Sequence, residues 1–346
     1  MANSPDDLTA QLISAGASKT IYAFVMPETE RILDQVLDGS PTGPEARRAL
    51  HALYHDAWTK KQDPIHEEFF KAWLHWSAPV LALDGEKFPF RYPTAGASEG
   101  LREAINAYGN RARVENFAPV IHVFDGEYEG YGAYASAAGI EVRQHVRGAW
   151  RAMLEKVGPT DQIYLSQPSA IDGNLWPEYE PFMEALHQKQ PRAQLVLDLT
   201  YVGAVRKPYH VNANHPNVRL IVFSLSKPMG VYYHRIGGVL SREQMPSLYG
   251  NMWFKNILAL KFGTALLKAH DVHELPRRYA GVQQQAAESV GRALGFELHP
   301  SDVWLLATAA PRTPATPLDR LLLRGTSPEA RVRICLSPMI DRLVHR

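Results

Sequence analysis

The run Ser224-Leu225-Ser226-Lys227-Pro228-Met229-Gly230, followed after four residues by Arg235-Ile236-Gly237-Gly238, gathers one primary amine, two hydroxyls and one guanidinium in a short stretch. A lysine amine condenses with an aldehyde to a Schiff base. A hydroxyl at position 224 and a guanidinium at position 235 are groups that hold a phosphate, the guanidinium through paired N–H donors. The stretch therefore reads as an anchor for a ligand that carries both an aldehyde and a phosphate.

Two upstream segments supply what such a ligand needs. Asp198 closes the apolar run Leu195-Val196-Leu197, which reads as a buried parallel strand. Its carboxylate then sits at the carboxyl end of that strand, where open α/β sheets gather ligands. The run Thr94-Ala95-Gly96-Ala97-Ser98-Glu99-Gly100 opens the helical pattern LREAINAYG, so free backbone N–H groups face a loop of small residues.

In this order the pieces resemble the fold type I pyridoxal-phosphate enzymes, the aspartate-aminotransferase-like superfamily with its class I and II aminotransferases. The resemblance covers roughly residues 90–240 well and 330–337 more thinly. It implies pyridoxal 5′-phosphate held as a Schiff base on Lys227. Asp198 is implied to pair with the protonated pyridine nitrogen, which makes the ring an electron sink for the substrate α-carbon. Tyr201, in the pattern Asp-x-x-Tyr, is implied to bond the ring oxygen and tune the Schiff base. The phosphate falls to the backbone amides of Ala97 and Ser98, the Ser98 hydroxyl, Ser224, Ser226 and Arg235. Tyr128, in VFDGEYEGYGAYASAAGIEV, matches the aromatic that stacks on the ring. Tyr131 and Tyr134 follow it at helical spacing and read as packing residues.

One motif departs from the family. The Asn-Pro-Thr-Gly-like turn is here SQPSAIDGNLWPE, and setting Gly173 on the motif's glycine puts Ala170 where the asparagine belongs. Ser169 or Asn174 is then the substitute donor to the ring oxygen. Near the other end, Arg331-Val332-Arg333-Ile334-Cys335-Leu336-Ser337 alternates as a half-buried strand. It resembles the strand whose arginine clamps the substrate α-carboxylate; Arg333 is the better match, with Arg331 on the same face as the alternative. Family members are homodimers with active sites at the subunit boundary. Tyr92, just before the phosphate loop, is the candidate from this chain for a shared contact, and is grouped with Arg333 on the substrate side.

Around these residues, strands expected at 119–124, 142–147, 162–166, 194–198, 220–224 and 237–241 alternate with helices near 99–109, 128–138 and 179–189. This is an α/β pattern. With the resemblance, it implies a mostly parallel sheet of the seven-stranded type with helices on both faces, plus a small α+β domain formed by both chain ends. The expected divisions are a helical segment 1–75 belonging to the small domain, a cofactor-binding large domain 76–250 and a small domain 251–346. Trp58, Trp73 and Trp76 read as packing or entrance residues, Pro41-Thr42-Gly43-Pro44 as a turn, and AAPRTPATPLD as a loop. One long helical pattern runs through ALLKAHDVHELPRRYAGVQQQAAESVGRALG.

Composition narrows the function classes. A chain of 346 residues, 45% hydrophobic, buries a sizeable core in about two domains. A formal net charge of +1 and the lack of a basic run with interleaved aromatics give no basis for nucleic-acid binding. The start MANSPDDLTAQ lacks a charged and an apolar leader region, and no apolar run is long enough for a bilayer, so a cytoplasmic protein without a membrane partner is expected. The single cysteine, Cys335, excludes an internal disulfide, and 14 scattered histidines without an HExxH pair give no metal site. The expected activity is that of an aminotransferase on an amino acid, a small-molecule substrate whose identity the sequence leaves open. The alternatives are β/γ-elimination, replacement or cyclisation in specialised metabolism, and a non-catalytic protein that retains the fold.

Overall fold

The computed structural model describes residues 5–21, 24–36, 48, 51–55, 62–310, 316–327 and 330–345. The expected turn at Pro41–Pro44 and Trp58 lie outside the described residues, as does part of the 309–319 loop.

Seven strands form the central sheet: β2 (Phe90–Thr94), β3 (Val120–Phe124), β4 (Glu141–His145), β5 (Gln162–Ser166), β6 (Gln194–Asp198), β8 (Val218–Ser224) and β9 (Gly237–Ser241). Their order is β2-β9-β8-β6-β5-β3-β4, and only β9 runs against the others. Strands β3, β5 and β9 are buried along their whole length and β8 at every residue but Arg219, which accounts for their apolar runs. The short strands β1 (Leu81–Ala82) and β7 (Val211–Asn212) pair separately. Strand β2, not expected from the sequence, sits at the sheet edge, the one place where its Pro93 removes no ladder bond.

Helices cover both faces. The helices are α1 (Pro5–Ser14), α2 (Pro27–Val36), α3 (Asp63–Ser77), α4 (Ala97–Glu115), α5 (Glu129–Ala137), α6 (Trp150–Leu154), α7 (Tyr179–Lys189), α8 (Pro246–Asn251), α9 (Ile257–Ala269), α10 (Glu274–Leu294), α11 (Pro317–Leu322) and α12 (Ser337–Val344). On one face α4 lies so close to the sheet that a Cβ on Gly100 would come within 2.5 Å of Val239. On the other face Trp73 of α3 stacks on Phe223 of β8, rings 4.0 Å apart. Trp76 is buried against Gly203, so both tryptophans are core residues. The long helical pattern of the C-terminal third is two helices. His270 is extended, and Asp271 accepts the amide of His273 at 2.7 Å, a local side-chain turn that the apolar periodicity runs across.

The small domain holds an antiparallel sheet in the order β10-β11-β13-β12, from β10 (His299–Pro300), β11 (Leu306–Ala309), β12 (Leu323–Arg324) and β13 (Arg331–Cys335). Both chain ends meet here: Ser18, just beyond α1, exchanges backbone bonds of 3.1 and 2.9 Å with Cys335. The small sheet is stitched to the large one at the loop after β3. Asp125 accepts from the amides of Thr326 at 2.6 Å and Ser327 at 2.8 Å, and Arg324 donates to the carbonyls of Gly126 at 3.0 Å and Glu127 at 2.8 Å. Among the described residues no helix is long and apolar enough to cross a membrane.

Candidate active site

Strands β6 and β8 end side by side, and a cavity of about 230 Å³ opens at their carboxyl ends. Lys227 lies in the turn directly after β8, only 8% exposed, its ammonium donating to the carbonyl of Ile21 and 4.9 Å from the ring centroid of Tyr232. Burial pushes this amine down to about 8, with Arg235 and Arg333 adding to the effect and Cys335 opposing it. It is therefore closer to the nucleophilic neutral form than an exposed lysine.

One end of the cavity is a cup of donors. Ser224 closes β8 and donates to Ser226 at 2.9 Å. Arg235 adopts a left-handed conformation, φ 54°, which aims its guanidinium back across the cup to the carbonyl of Ala95 at 3.0 Å. Gly96 makes this possible: its φ is +79°, and a Cβ there would lie 2.7 Å from the guanidinium. Next comes the start of α4, whose Gly96 cap offers no side chain, leaving the amides of Ala97 and Ser98 without partners inside the helix. Ser98 Oγ lies 3.5 Å from the hydroxyl of Tyr128. A guanidinium, hydroxyls and a helix N-terminus around one concavity suit a phosphate dianion.

The other landmark is Asp198, buried at the end of β6. It accepts from Thr200 N at 2.9 Å, Thr200 Oγ1 at 2.5 Å and the hydroxyl of Tyr131 at 3.0 Å. Burial raises its pKa, opposed by those bonds from Thr200 and Tyr131. No cation bonds it among the described residues, so a buried carboxylate here is matched to a cationic ligand atom. Tyr201 reaches the same cavity, and its hydroxyl is bonded to no described residue. The Tyr128 ring lines the wall, edge-on to Tyr131 at 5.5 Å, and folds back over Gly130, whose missing side chain leaves it room. Acid, phenol, amine and phosphate cup thus converge as pyridoxal phosphate requires.

Arg333 enters from β13, 5% exposed, with one Nη donating to the carbonyl of Ala170 and its Nε buried without a partner. Burial among polar neighbours, with Arg324 as the nearest like charge, lowers it to about 10. No carboxylate bonds it among the described residues, which leaves it ready for one from a ligand. Arg331 stands exposed and away from the cavity.

Three expected residues lie elsewhere. Ser169 accepts from Arg147 at 3.0 Å and from Ile171 N at 3.2 Å behind the cavity wall. Asn174 turns away to accept the amide of Asp302 at 2.9 Å. Neither lines the cavity, whereas Ala170 does. Both side chains serve the turn instead of a ligand, which corrects their assignment as donors to the ring oxygen. Tyr92 is corrected likewise: it lies on β2, buried in the core with residues of α4, and its hydroxyl accepts the amide of Met245 at 3.0 Å.

Several lining or supporting residues carried no expectation of a role in the site. Lys19, Thr20 and Ile21 close the cavity from the N-terminal segment, and Arg324, paired with Glu129, forms part of its rim. Nothing in their local sequence marks them. Tyr131 and Thr200 were within reach: a phenol one helical turn from Tyr128 and a hydroxyl in Asp-x-Thr can both meet the acid.

The sequence profile of the family described as aminotransferase class I and II matches residues 48–307. No curated protein is a significant match. Among solved structures, the chain is similar to YbdL of Escherichia coli, described as having a methionine aminotransferase function, at 15% identity and a TM-score of 0.67, covering 99% of this chain and 96% of that one. It is also similar to an aspartate aminotransferase of Thermus thermophilus with maleate, at 14% identity and TM-score 0.65 over 93% and 87% of the two chains. A histidinol-phosphate aminotransferase of Sinorhizobium meliloti with pyridoxal-5′-phosphate gives 16% identity and TM-score 0.58 over 99% and 96%. At such identities the likeness is one of fold.

Proposed function

The chain belongs to the aminotransferase class I and II family and is a pyridoxal-phosphate-dependent transferase; on that premise we propose that it transfers the α-amino group of an amino acid. One observation carries this reading: the amine of Lys227 and the carboxylate-free guanidinium of Arg333 face a single cavity. The bound cofactor supplies an electron sink for the substrate α-carbon. Asp198 would keep a proton on the ring nitrogen, and the Arg235 cup would hold the phosphate. Tyr201 would donate to the ring oxygen, while Tyr128 would lie against the ring. Arg333 would orient the substrate through its carboxylate, and Lys227 would take the α-proton and deliver it to the cofactor's aldehyde carbon, its lowered pKa suiting it to act as a base near neutral pH.

Ala170 favours a second reading. No side chain at that position donates to the ring oxygen, and its carbonyl is occupied by Arg333. A ring with one donor fewer differs electronically from that of an ordinary aminotransferase, which is consistent with β/γ-elimination, replacement or cyclisation. A panel of amino acids tested with and without a keto-acid acceptor separates the two: acceptor-dependent keto-acid formation supports transamination, and acceptor-independent release of ammonia or of a side-chain fragment supports the second reading. Purified protein that retains no cofactor would support a non-catalytic role. We also infer a homodimer, as is typical of the family, acting in the cytoplasm; light scattering of the purified protein tests the dimer and cell fractionation its location.

A further inference from the structure

An acid behind the cavity wall takes no part in the chemistry above. Glu127, 5% exposed, precedes Tyr128 in the loop after β3. Its carboxylate accepts the hydroxyl of Ser166 at 2.6 Å, the amide of Ser166 at 3.3 Å and the amide of Tyr128 at 3.3 Å. The same Ser166 hydroxyl accepts the amide of Ala170 at 2.6 Å, and the carbonyl of Ala170 accepts from Arg333. Four residues from three separate segments thus form one unbroken hydrogen-bonded chain that ends on the guanidinium.

We propose that Glu127 is a positioning residue for the carboxylate clamp, acting through Ser166 to fix the Ala170 turn on which Arg333 rests. The proposal builds on the reading of Arg333 as the group that binds the substrate carboxylate. An alanine at position 170 has no side chain with which to anchor its own turn, and Ser169 and Asn174 are committed elsewhere. The anchor comes from below instead. A carboxylate in so dry a place is costly unless its bonds are made, and all three of its contacts are donors aimed at the ionised form.

The ionisation of Glu127 makes the chain sensitive to pH. Burial raises this carboxyl to about 7, the two Ser166 bonds opposing; the charge of Asp198 on β6 adds to the rise and Arg147 after β4 counters it. The Tyr131 hydroxyl on α5, itself bonded to Asp198, is the remaining titratable group facing it. Ionised, Glu127 draws the Ser166 proton toward itself and leaves a lone pair for the amide of Ala170. Protonated, it no longer fixes that orientation, so the clamp loosens as pH falls through about 7.

The test measures binding of 4-methylpentanoate and of maleate to the cofactor-loaded enzyme by calorimetry between pH 6 and 8.5. Wild-type affinity should rise across this range. E127Q should bind about tenfold more weakly at high pH and lose the pH dependence, with cofactor content unchanged. S166A should behave likewise, S166T should restore binding, and E127Q with S166A together should weaken it no further than either alone. If E127Q does not fold, S166A and S166T carry the test. Wild-type affinity and pH profile in S166A would overturn the proposal. If R333L alone abolishes binding in that case, the clamp reading stands and only the role of Glu127 falls. If wild type and R333L bind both carboxylates equally, the two fall together.

Discussion

The two ends of the cavity are assembled in different ways. The phosphate cup comes from the start of α4 and the turn that follows β8, two strand-to-loop transitions lying next to each other because β9, paired to β8, brings Gly237 against Gly96. The carboxylate end draws on four distant pieces: the segment Lys19–Ile21, Ala170, Arg324 and Arg333. The first arrangement ties donor position to the backbone of the main sheet. The second depends on how the small sheet docks, and therefore on contacts such as those of Asp125 and Glu127. Substitutions at the cup should change cofactor retention, whereas those at the far end should change substrate affinity.

The largest effect is expected at the point shared by both ends. Lys227→Ala should remove the borohydride-reducible cofactor adduct and lower turnover by at least about 100-fold, since it deletes both the attachment and the base. Recovery of cofactor on another lysine after reduction and peptide mapping would break the assignment. In wild type, the rate of covalent capture of added pyridoxal phosphate should rise about tenfold per pH unit up to about 8 and then level off, because only the neutral amine attacks.

Next come the two arginines, which set the ends against each other. Arg235→Leu should weaken cofactor affinity by about 10- to 100-fold, the loss of charge-assisted bonds worth about 1.5–3 kcal/mol, while leaving the order of substrate preference unchanged. Arg333→Leu should do the reverse, keeping cofactor through dialysis and raising KM for amino acids by a similar factor. If both variants lose cofactor equally, the division of labour is wrong.

A smaller change is expected at Tyr201. With no asparagine at position 170, it is the one side-chain donor expected for the ring oxygen, so Tyr201→Phe should move the visible titration of the bound cofactor by about one to two pH units. An unmoved titration would mean that another group holds that oxygen.

The smallest effect belongs to neither end and serves as a control. At the outer edge of the sheet His122 bonds His145 and Asp161, both at 2.9 Å, and burial together with His122 holds His145 down to about 4. Unfolded, this histidine binds a proton near its ordinary value of 6.5, so the folded state is disfavoured as pH falls from 6.5 toward 4 and is unaffected above that window. Melting curves of wild type and His145→Gln should diverge across that window, with cofactor retention above it the same.

The legibility of the sequence follows the same division. The strands at 162–166, 194–198 and 237–241 appear where their apolar runs put them, and the expected helix at 179–189 has those bounds. Lys227, Asp198, Ser224 and Arg235 could be read because their spacings are set by a strand end and the turn after it. The assignments of Ser169, Asn174 and Tyr92 failed for a different reason: each has a side chain of the right chemistry, but its partner, Arg147, Asp302 or Met245, comes from another part of the chain and claims it first. Lys19 and Arg324 were invisible for the same cause, since only the docking of the small sheet and the N-terminal segment gives them a neighbour in the site, and Glu127 meets Ser166 only through the pairing of β3 with β5. The break at His270 was hidden because a single aspartate overrode a continuous helical periodicity.

The stitch between Asp125 and the amides of Thr326 and Ser327 also has a mechanical meaning. Two residues separate Asp125 from Tyr128, and one residue separates Arg324 from Thr326. A Cβ on Gly126 would lie 3.0 Å from the backbone of Gly325, and one on Gly325 would lie 2.9 Å from the Asp125 carboxylate, so a side chain at either glycine would wedge the joint apart. The wall that would face the cofactor ring and the strand beside the carboxylate clamp are riveted to a single bracket, and slack introduced at position 125 would be felt at both ends of the cavity at once.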